Sequence, residues 1–339
     1  LDEPTAVLTP QETDELLEVL RNLAKRGVGI LFITHKLREV MAVADRVVVL
    51  RDGKLVGTTS PRESSEAKLA QMMVGREVVL RVDKKAAKPE AAALSVTDLK
   101  VLDDRKLESV KGISFEVRAG EILGIAGVEG NGQRELVEAI CGMRDRTSGK
   151  VKLLGTELPN LDPKAAHRAG ISHIPEDREK HGLVSSYSIS ENLVLNQYDE
   201  EPFAKGWIRN LGAVAENGAK LVEEFDIRTP SPSLSANSLS GGNKQKTVVA
   251  RELSQNKKVV VAAQPTRGVD VGSIEFIHNQ LISARDKGAA ILLVSAELDE
   301  VLSLSDRIAV IHNGKIVATF DSKSADRAEI GRLMAGSHA

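Results

Sequence analysis

Residues Asp2 to Thr58 and Ala263 to Thr319 run in step at one constant offset of 261 (263 − 2), so the chain must use a single folding unit twice. Scaffold positions agree in both copies: Pro4 and Pro265, Thr5 and Thr266, Glu39 and Glu300, Asp45 and Asp306, Arg46 and Arg307, Gly53 and Gly314, Lys54 and Lys315. At three other positions, acidic and imidazole groups survive only in the first copy. Asp2 and Glu3 face Ala263 and Gln264, and His35 faces Ala296. The repeat therefore predicts two similar folds with chemistry removed from the second. Acidic residues are usually exposed, so Asp2 and Glu3 taken alone also read as surface charge. Their place before Pro4 and Thr5, with His35 after an apolar run, favours a site.

Strands and helices alternate. Thr9, Pro10 and Glu12 read as a helix start, Leu16, Leu17, Leu20 and Leu23 recur at helical spacing, and Gly27 stops the run. Short apolar runs at Ile30 to Ile33, Val259 to Ala262 and Ile291 to Val294 predict strands covered on both faces, hence a parallel α/β architecture. Asp52 and Gly53, matched by Asn313 and Gly314, predict a hairpin that adds a small antiparallel piece to each copy. Leu1 to Glu3 read as the end of a buried strand whose beginning is absent, so a truncated N-terminus is expected. Asp83 to Ala93 lack periodicity and read as a short flexible linker. The expected division is residues 1–82, a linker over 83–93, and a second unit over 94–339.

The formal net charge of −2 gives no overall positive field for holding nucleic acid. One cysteine, Cys141, excludes an internal disulfide and a cysteine-based zinc site, and reads as a small apolar group on a buried helix face. No apolar run approaches the roughly 18–20 residues that span a bilayer. His173 and His181, beside Asp177 and Glu179, have irregular loop spacing and read as solvated charges rather than metal ligands. Trp207, near Phe203, reads as core of a helical region, with a groove facing a partner protein as the alternative.

Two further stretches carry loop chemistry. Glu121 to Ala126 predict a strand, Gly127, Gly130 and Gly132 a glycine loop, and Arg134 to Cys141 a helix, the context in which backbone N–H groups cradle phosphate. The lysine position of such a loop is Gln133, and Arg134 and Glu135 follow where a metal-binding hydroxyl belongs. A plain strand-to-helix turn also fits, and Arg134 is expected to replace part of the missing charge by reaching back. Further on, Leu239, Ser240, Gly241, Gly242, Asn243, Lys244 and Gln245 precede a helix through Leu253, placing a hydroxyl and two glycines at a helix start.

With these residues in view, nearly the whole chain resembles the ATP-binding subunit of ATP-binding-cassette (ABC) transporters, in the tandem-cassette group of sugar and nucleoside importers. Asp2 and Glu3 match that family's Walker B end, His35 its switch histidine, Leu239 to Gln245 its signature, and Gly127 to Glu135 a degenerate Walker A. Pro175, Glu176, Asp177, Arg178, Gly182 and Leu183 resemble the second cassette's Q-loop region, with Glu176 where glutamine usually stands. Ala262 to Arg267 most resemble the nucleoside branch paired with basic-membrane-protein-type lipoproteins. The resemblance implies a P-loop NTPase fold with a helical subdomain and an antiparallel β addition, the first copy being partial.

It implies ATP and Mg²⁺ as cofactors, with Asp2 holding the metal, Glu3 as general base and His35 at the γ-phosphate. Ser240, Gly241 and Gly242 would close over that nucleotide from the other cassette. It also implies integral membrane permease subunits as partners, a substrate-binding lipoprotein acting indirectly, and a peripheral position on the cytoplasmic face of the plasma membrane. Residues 1–339 alone are expected to show no ATPase activity, because the first copy lacks its own Walker A, Q-loop and signature. A soluble ABC-type ATPase acting on ribosomes or DNA is the alternative of a different class, against which the short linker speaks; an inert fragment is a third.

Overall fold

The computed structural model describes residues 1–339 except 6, 7, 9, 52, 78–83, 161 and 337–339. Thr9, Asp52 and Asp83, read above as helix cap, turn residue and linker start, lie outside the described residues.

The first unit contains α1 (Pro10–Lys25), α2 (Leu37–Val43), β1 (Val47–Arg51), β2 (Lys54–Thr59) and α3 (Glu66–Val74). The second opens with β3 (Ala92–Leu102), β4 (Glu108–Arg118), β5 (Ile122–Ala126), α4 (Gln133–Ile140), β6 (Arg146–Leu153) and β7 (Thr156–Leu158). Then come α5 (Pro163–Ala169), β8 (Ile171–Ile174), α6 (Ile189–Leu193), β9 (Ala204–Lys205), β10 (Ile208–Arg209), α7 (Leu211–Glu224) and α8 (Gly241–Leu253). It finishes with β11 (Val259–Ala263), α9 (Val271–Asp286), β12 (Ala290–Ser295), α10 (Leu298–Leu304), β13 (Arg307–His312), β14 (Lys315–Asp321) and α11 (Arg327–Met334).

Among the described residues, one sheet runs in the order β14-β13-β5-β12-β11-β8, parallel except for β14, and β4-β3-β6-β7 form an antiparallel sheet. Alternation across the parallel strands builds two cores. Leu123, Ile125, Val259, Val261, Leu292 and Val294 pack towards β3, β4 and α4, while Ile122, Val260, Ala262, Ile291 and Leu293 pack towards α8 and α9. Both faces being covered, β5, β11 and β12 are buried at every position, which is why they read as unbroken apolar runs.

The repeat is kept in three dimensions. The bounds of α1 and α2 reappear in α9 and α10 at the same offset, and the β-bulge between Val49 and Leu50 recurs between Val310 and Ile311. In each copy a threonine hydroxyl donates to a glutamate: Thr5 Oγ1 to Glu39 Oε1, and Thr266 Oγ1 to Glu300 Oε1, both 2.6 Å. Burial pushes the Glu300 carboxyl up, but His278 beside it and the hydrogen bonds it accepts outweigh this and hold it below the usual carboxylate range. Thr266→Val, which leaves that buried carboxylate short of a donor, is expected to lower unfolding stability by about 2 kcal/mol. Urea denaturation checks this, and an unchanged midpoint would contradict it.

Four expectations need correction. Ile30 to Ile33 do not form a covered strand. Asp2 and Ile33 make an isolated parallel bridge, and Leu1, Leu31 and Ile33 are 57%, 77% and 53% exposed. The counterpart strand β12 is flanked by β5 and β11, whereas among the described residues no strand stands in β5's place in the first copy. The linker also ends sooner than expected and touches the second unit within its described part. Lys84 Nζ donates to the Ser305 carbonyl, Arg285 Nη2 donates to the Lys85 carbonyl at 3.0 Å, and Ala92 and Ala93 already belong to β3.

His173 lies on β8, not on a loop, and burial pushes its imidazole down to about 4, so it is no solvated charge; His181 is exposed. Trp207 is not core. It sits in the turn between β9 and β10 after Gly206, whose φ of +62° suits the tight hairpin, and is fully exposed, while Phe203 is buried against Val194 and Val214. Cys141 is buried at the end of α4, and burial pushes its thiol up, as an inert apolar residue requires.

Candidate functional site

The first copy's acidic and imidazole groups are brought together by backbone pairing. Ile33 N donates to the Leu1 carbonyl and Glu3 N donates to the Ile33 carbonyl, both at 2.8 Å, which lays residues 1–3 beside 33–35. Glu3 turns at φ +41° before Pro4, and His35 Nδ1 meets Glu3 Oε1 at 2.6 Å. Glu39, buried at the start of α2, fastens both strands of this arrangement: it accepts from Thr5 Oγ1 at 2.6 Å and from Thr34 Oγ1 at 3.3 Å. Asp2 is exposed beside them. A carboxylate in contact with an imidazole can pass a proton, and an exposed carboxylate next to it is the hard oxygen donor that Mg²⁺ shares with phosphates, so this donor set fits that metal.

The second copy repeats the backbone without the chemistry. Gln264 turns at φ +47° and its amide N donates to the Val294 carbonyl at 2.8 Å, as Glu3 does to Ile33. Its side-chain Oε1, however, accepts from Ala296 N at 3.2 Å and from Ser295 Oγ at 3.4 Å, so it is folded onto the place where the first copy carries His35. With Ala263 in Asp2's place, the second copy lacks the carboxylate that this position carries in the first.

Parallel pairing of β5, β12 and β11 brings the glycine loop to the same sheet edge as Gln264 and Ala296. Gly130 and Gly132 take φ of +92° and +97°, and a Cβ on Gly132 would stand 2.5 Å from the Ser109 carbonyl oxygen, so the loop needs glycine there. Gln133 is buried. Its Nε2 donates to the Val128 carbonyl at 2.8 Å and lies where a Cβ on Gly127 would be only 2.6 Å away, so a neutral amide fills the hollow under the loop. Arg134 does not reach back: Nε donates to Glu138 Oε1 at 2.8 Å and Nη2 lies 3.8 Å from Asp104, carboxylates nearer than the loop. Glu135 accepts from Ser109 Oγ at 3.1 Å.

The serine–glycine turn starts α8. Ser240 is its exposed N-cap, accepting from Asn243 N at 3.4 Å and Nδ2 at 2.9 Å. Gly242 is buried where a Cβ would stand 2.4 Å from Ser273 Oγ and 2.5 Å from Asp270 Oδ2. Gly241 faces Arg178, whose guanidinium donates to the carbonyls of Arg267 at 2.8 Å and Gly268 at 3.1 Å. The first turn of α8 therefore offers a hydroxyl and backbone N–H groups to an anion. Ser240's hydrogen bonds stay within its own turn, with none to Glu3 or His35 among the described residues.

Sequence reasoning missed two links. Arg267 bridges Glu176 and Glu129, joining the region of the missing Q-loop glutamine to the glycine loop. Burial, chiefly, pushes the Glu176 carboxyl up. Lys36 Nζ meets Glu297 Oε1 at 2.8 Å across the two copies, and the opposite charges at these matched positions were the available signal.

The family profile described as ABC transporter matches residues 110–267. The Guanosine import ATP-binding protein NupO of Bacillus subtilis (strain 168) is 48% identical over 336 residues, covering 99% of this chain and 66% of that protein. The Ribose import ATP-binding protein RbsA of Geobacillus kaustophilus (strain HTA426) is 36% identical over 336 residues, 99% of this chain and 67% of that protein. The chain thus spans about two thirds of the length of these relatives. A solved nucleotide-free ATP-binding cassette from an ABC transporter is 25% identical and superposes with a TM-score of 0.60 over 72% of this chain and 96% of that one.

Proposed function

The chain belongs to the ABC transporter family, and on that premise we propose that it is part of the ATP-binding and ATP-hydrolysing subunit that energises import of nucleosides or simple sugars. Residues 1–82 act as the rear part of a first cassette, and the unit that opens with β3 at Ala92 acts as a second, degenerate one. The pairing of Glu3 with His35 at 2.6 Å, set against Gln264 folded onto Ala296 N, carries this reading. One copy keeps a proton-transferring pair, and the other has closed the same place with an amide.

In the productive site Glu3 draws the proton from the attacking water, His35 Nε2 contacts the γ-phosphate, and Asp2 would hold Mg²⁺. Bound there, the metal would supply charge neutralisation at the phosphates. Ser240, Gly241 and Gly242 close over the same nucleotide from the second cassette, and the phosphate-binding loop facing Asp2 is one that residues 1–82 do not contain. The second site, built from Gln133, Ala263, Gln264 and Ala296, lacks cation, metal ligand, base and switch, and serves as a weak binding site or a structural partner. Guanosine or ribose, after the names of NupO and RbsA, represent the two substrate classes. ATP-dependent uptake of labelled guanosine and ribose into vesicles carrying the reconstituted complex tests the reading; ATP turnover without transport of either class would contradict it.

Membrane coupling follows the same proposal. No helix among the described residues is long and apolar enough to cross a membrane. The proposed partners are integral membrane permease subunits, met at the cytoplasmic face, with the binding lipoprotein acting through them. Trp207, Ile208 and Leu211, 103%, 77% and 66% exposed, form an apolar tip on the helical region that supports permease contact there. Trp207→Ser is expected to lower permease co-purification several-fold without moving the thermal midpoint, and undiminished co-purification would remove this tip from the contact.

A further inference from the structure

The two copies pack on each other in matching ways. The first copy's α1 lies on the second copy's α11, and the second copy's α9 lies on the first copy's α3. Gln11 and Gly272 occupy matched positions at the offset of 261 (272 − 11), and each faces the other copy's last helix, at Gly331 and Val74 respectively. The copies are therefore related by an approximate two-fold axis. At such an axis a position meets its own counterpart. Lys36 and Glu297 are counterparts, 261 apart (297 − 36), and meet at 2.8 Å. Two identical copies would place lysine on lysine or glutamate on glutamate there. The next outward position on each helix, Arg38 and Asp299, shows the same inversion of charge.

Lys36 follows His35 directly. Its backbone N donates to Thr34 Oγ1 at 3.0 Å, and its Nζ also donates to the Thr5 carbonyl at 3.4 Å, two residues beyond Glu3. Glu297 is held by the matching bond, N to Ser295 Oγ at 3.0 Å. The ammonium thus ties together the loop that carries Glu3, the loop that carries His35, and a carboxylate of the opposite copy.

We infer that Glu297, in the copy without catalytic groups, is a positioning residue for the Glu3–His35 site in the other copy, acting through Lys36. The degenerate copy is retained because it supplies this counter-charge, and the pair also selects front-with-rear association over either like pairing. The inference rests on the proposed function, and the experiment separates the two.

In the transporter complex, Glu297→Lys sets two ammonium groups against each other and is expected to lower kcat for ATP about tenfold with little change in KM. Glu297→Gln is expected to give a smaller loss, about threefold, because the pair is partly exposed. Lys36→Glu alone should match Glu297→Lys, and the exchanged pair Lys36→Glu/Glu297→Lys should return kcat to within about twofold of the parent, a rescue that a merely structural disturbance would not give. Unchanged kcat in Glu297→Lys, or no rescue by the exchange, overturns the inference while loss of turnover in Glu3→Gln leaves the proposed function standing. Turnover that survives Glu3→Gln overturns both.

Discussion

Glu3→Gln is expected to lower steady-state ATP hydrolysis by the transporter complex about 10²- to 10⁴-fold, the range for loss of a general base, while ATP still binds. Glutamine keeps the shape and the contact with His35 but cannot take a proton. The size of the loss depends on the second site offering no reserve. Gln264 already occupies the equivalent position, its Oε1 accepting from Ala296 N, and the lysine seat is filled by Gln133 bonded to the Val128 carbonyl. A complex with two working sites would retain a substantial share of its turnover after a change in one. Here the complex should retain almost none, and a rate within about threefold of the parent would contradict the assignment.

Gly242→Val has the second large expected effect. Any Cβ there stands 2.4 Å from Ser273 Oγ and 2.5 Å from Asp270 Oδ2, between which Ser273 Oγ donates at 2.8 Å, beside the α9 cap in which Asp270 Oδ1 accepts from Ser273 N at 3.0 Å. Either that cap opens or the turn bearing Ser240 moves outward. Loss of one transition-state donor commonly costs about 10²- to 10³-fold, so turnover should fall by that order. Overpacking should also lower stability by about 1–3 kcal/mol. ATPase and urea denaturation measured together check this, since near-normal turnover would show that the turn has no part in hydrolysis.

Much of this was legible because a repeat constrains local geometry twice. The matched Thr5/Thr266 and Glu39/Glu300 became the same 2.6 Å hydrogen bond, and the strand–glycine loop–helix context of Gly127 to Glu135 is present as β5, loop and α4. What escaped was set by surroundings rather than by residue type. An apolar run such as Ile30 to Ile33 becomes a covered central strand only where neighbours hydrogen-bond to it on both sides, as β5 and β11 do to β12. Trp207 is apolar, yet a two-residue hairpin turn points it outward. Arg134 finds Glu138 one helical turn away, closer than the loop it was expected to serve. The Lys36–Glu297 contact needed the packing of one copy on the other, although their inverted charges stood in the sequence.

A structure of the Glu3→Gln complex trapped with ATP and Mg²⁺ tests the shared site most directly. It should show a triphosphate whose γ-phosphate lies between residue 3 and His35 on one side and the Ser240 hydroxyl on the other. Nucleotide seated solely on the Gly127–Glu135 loop, with Ser240 open to solvent, would contradict it.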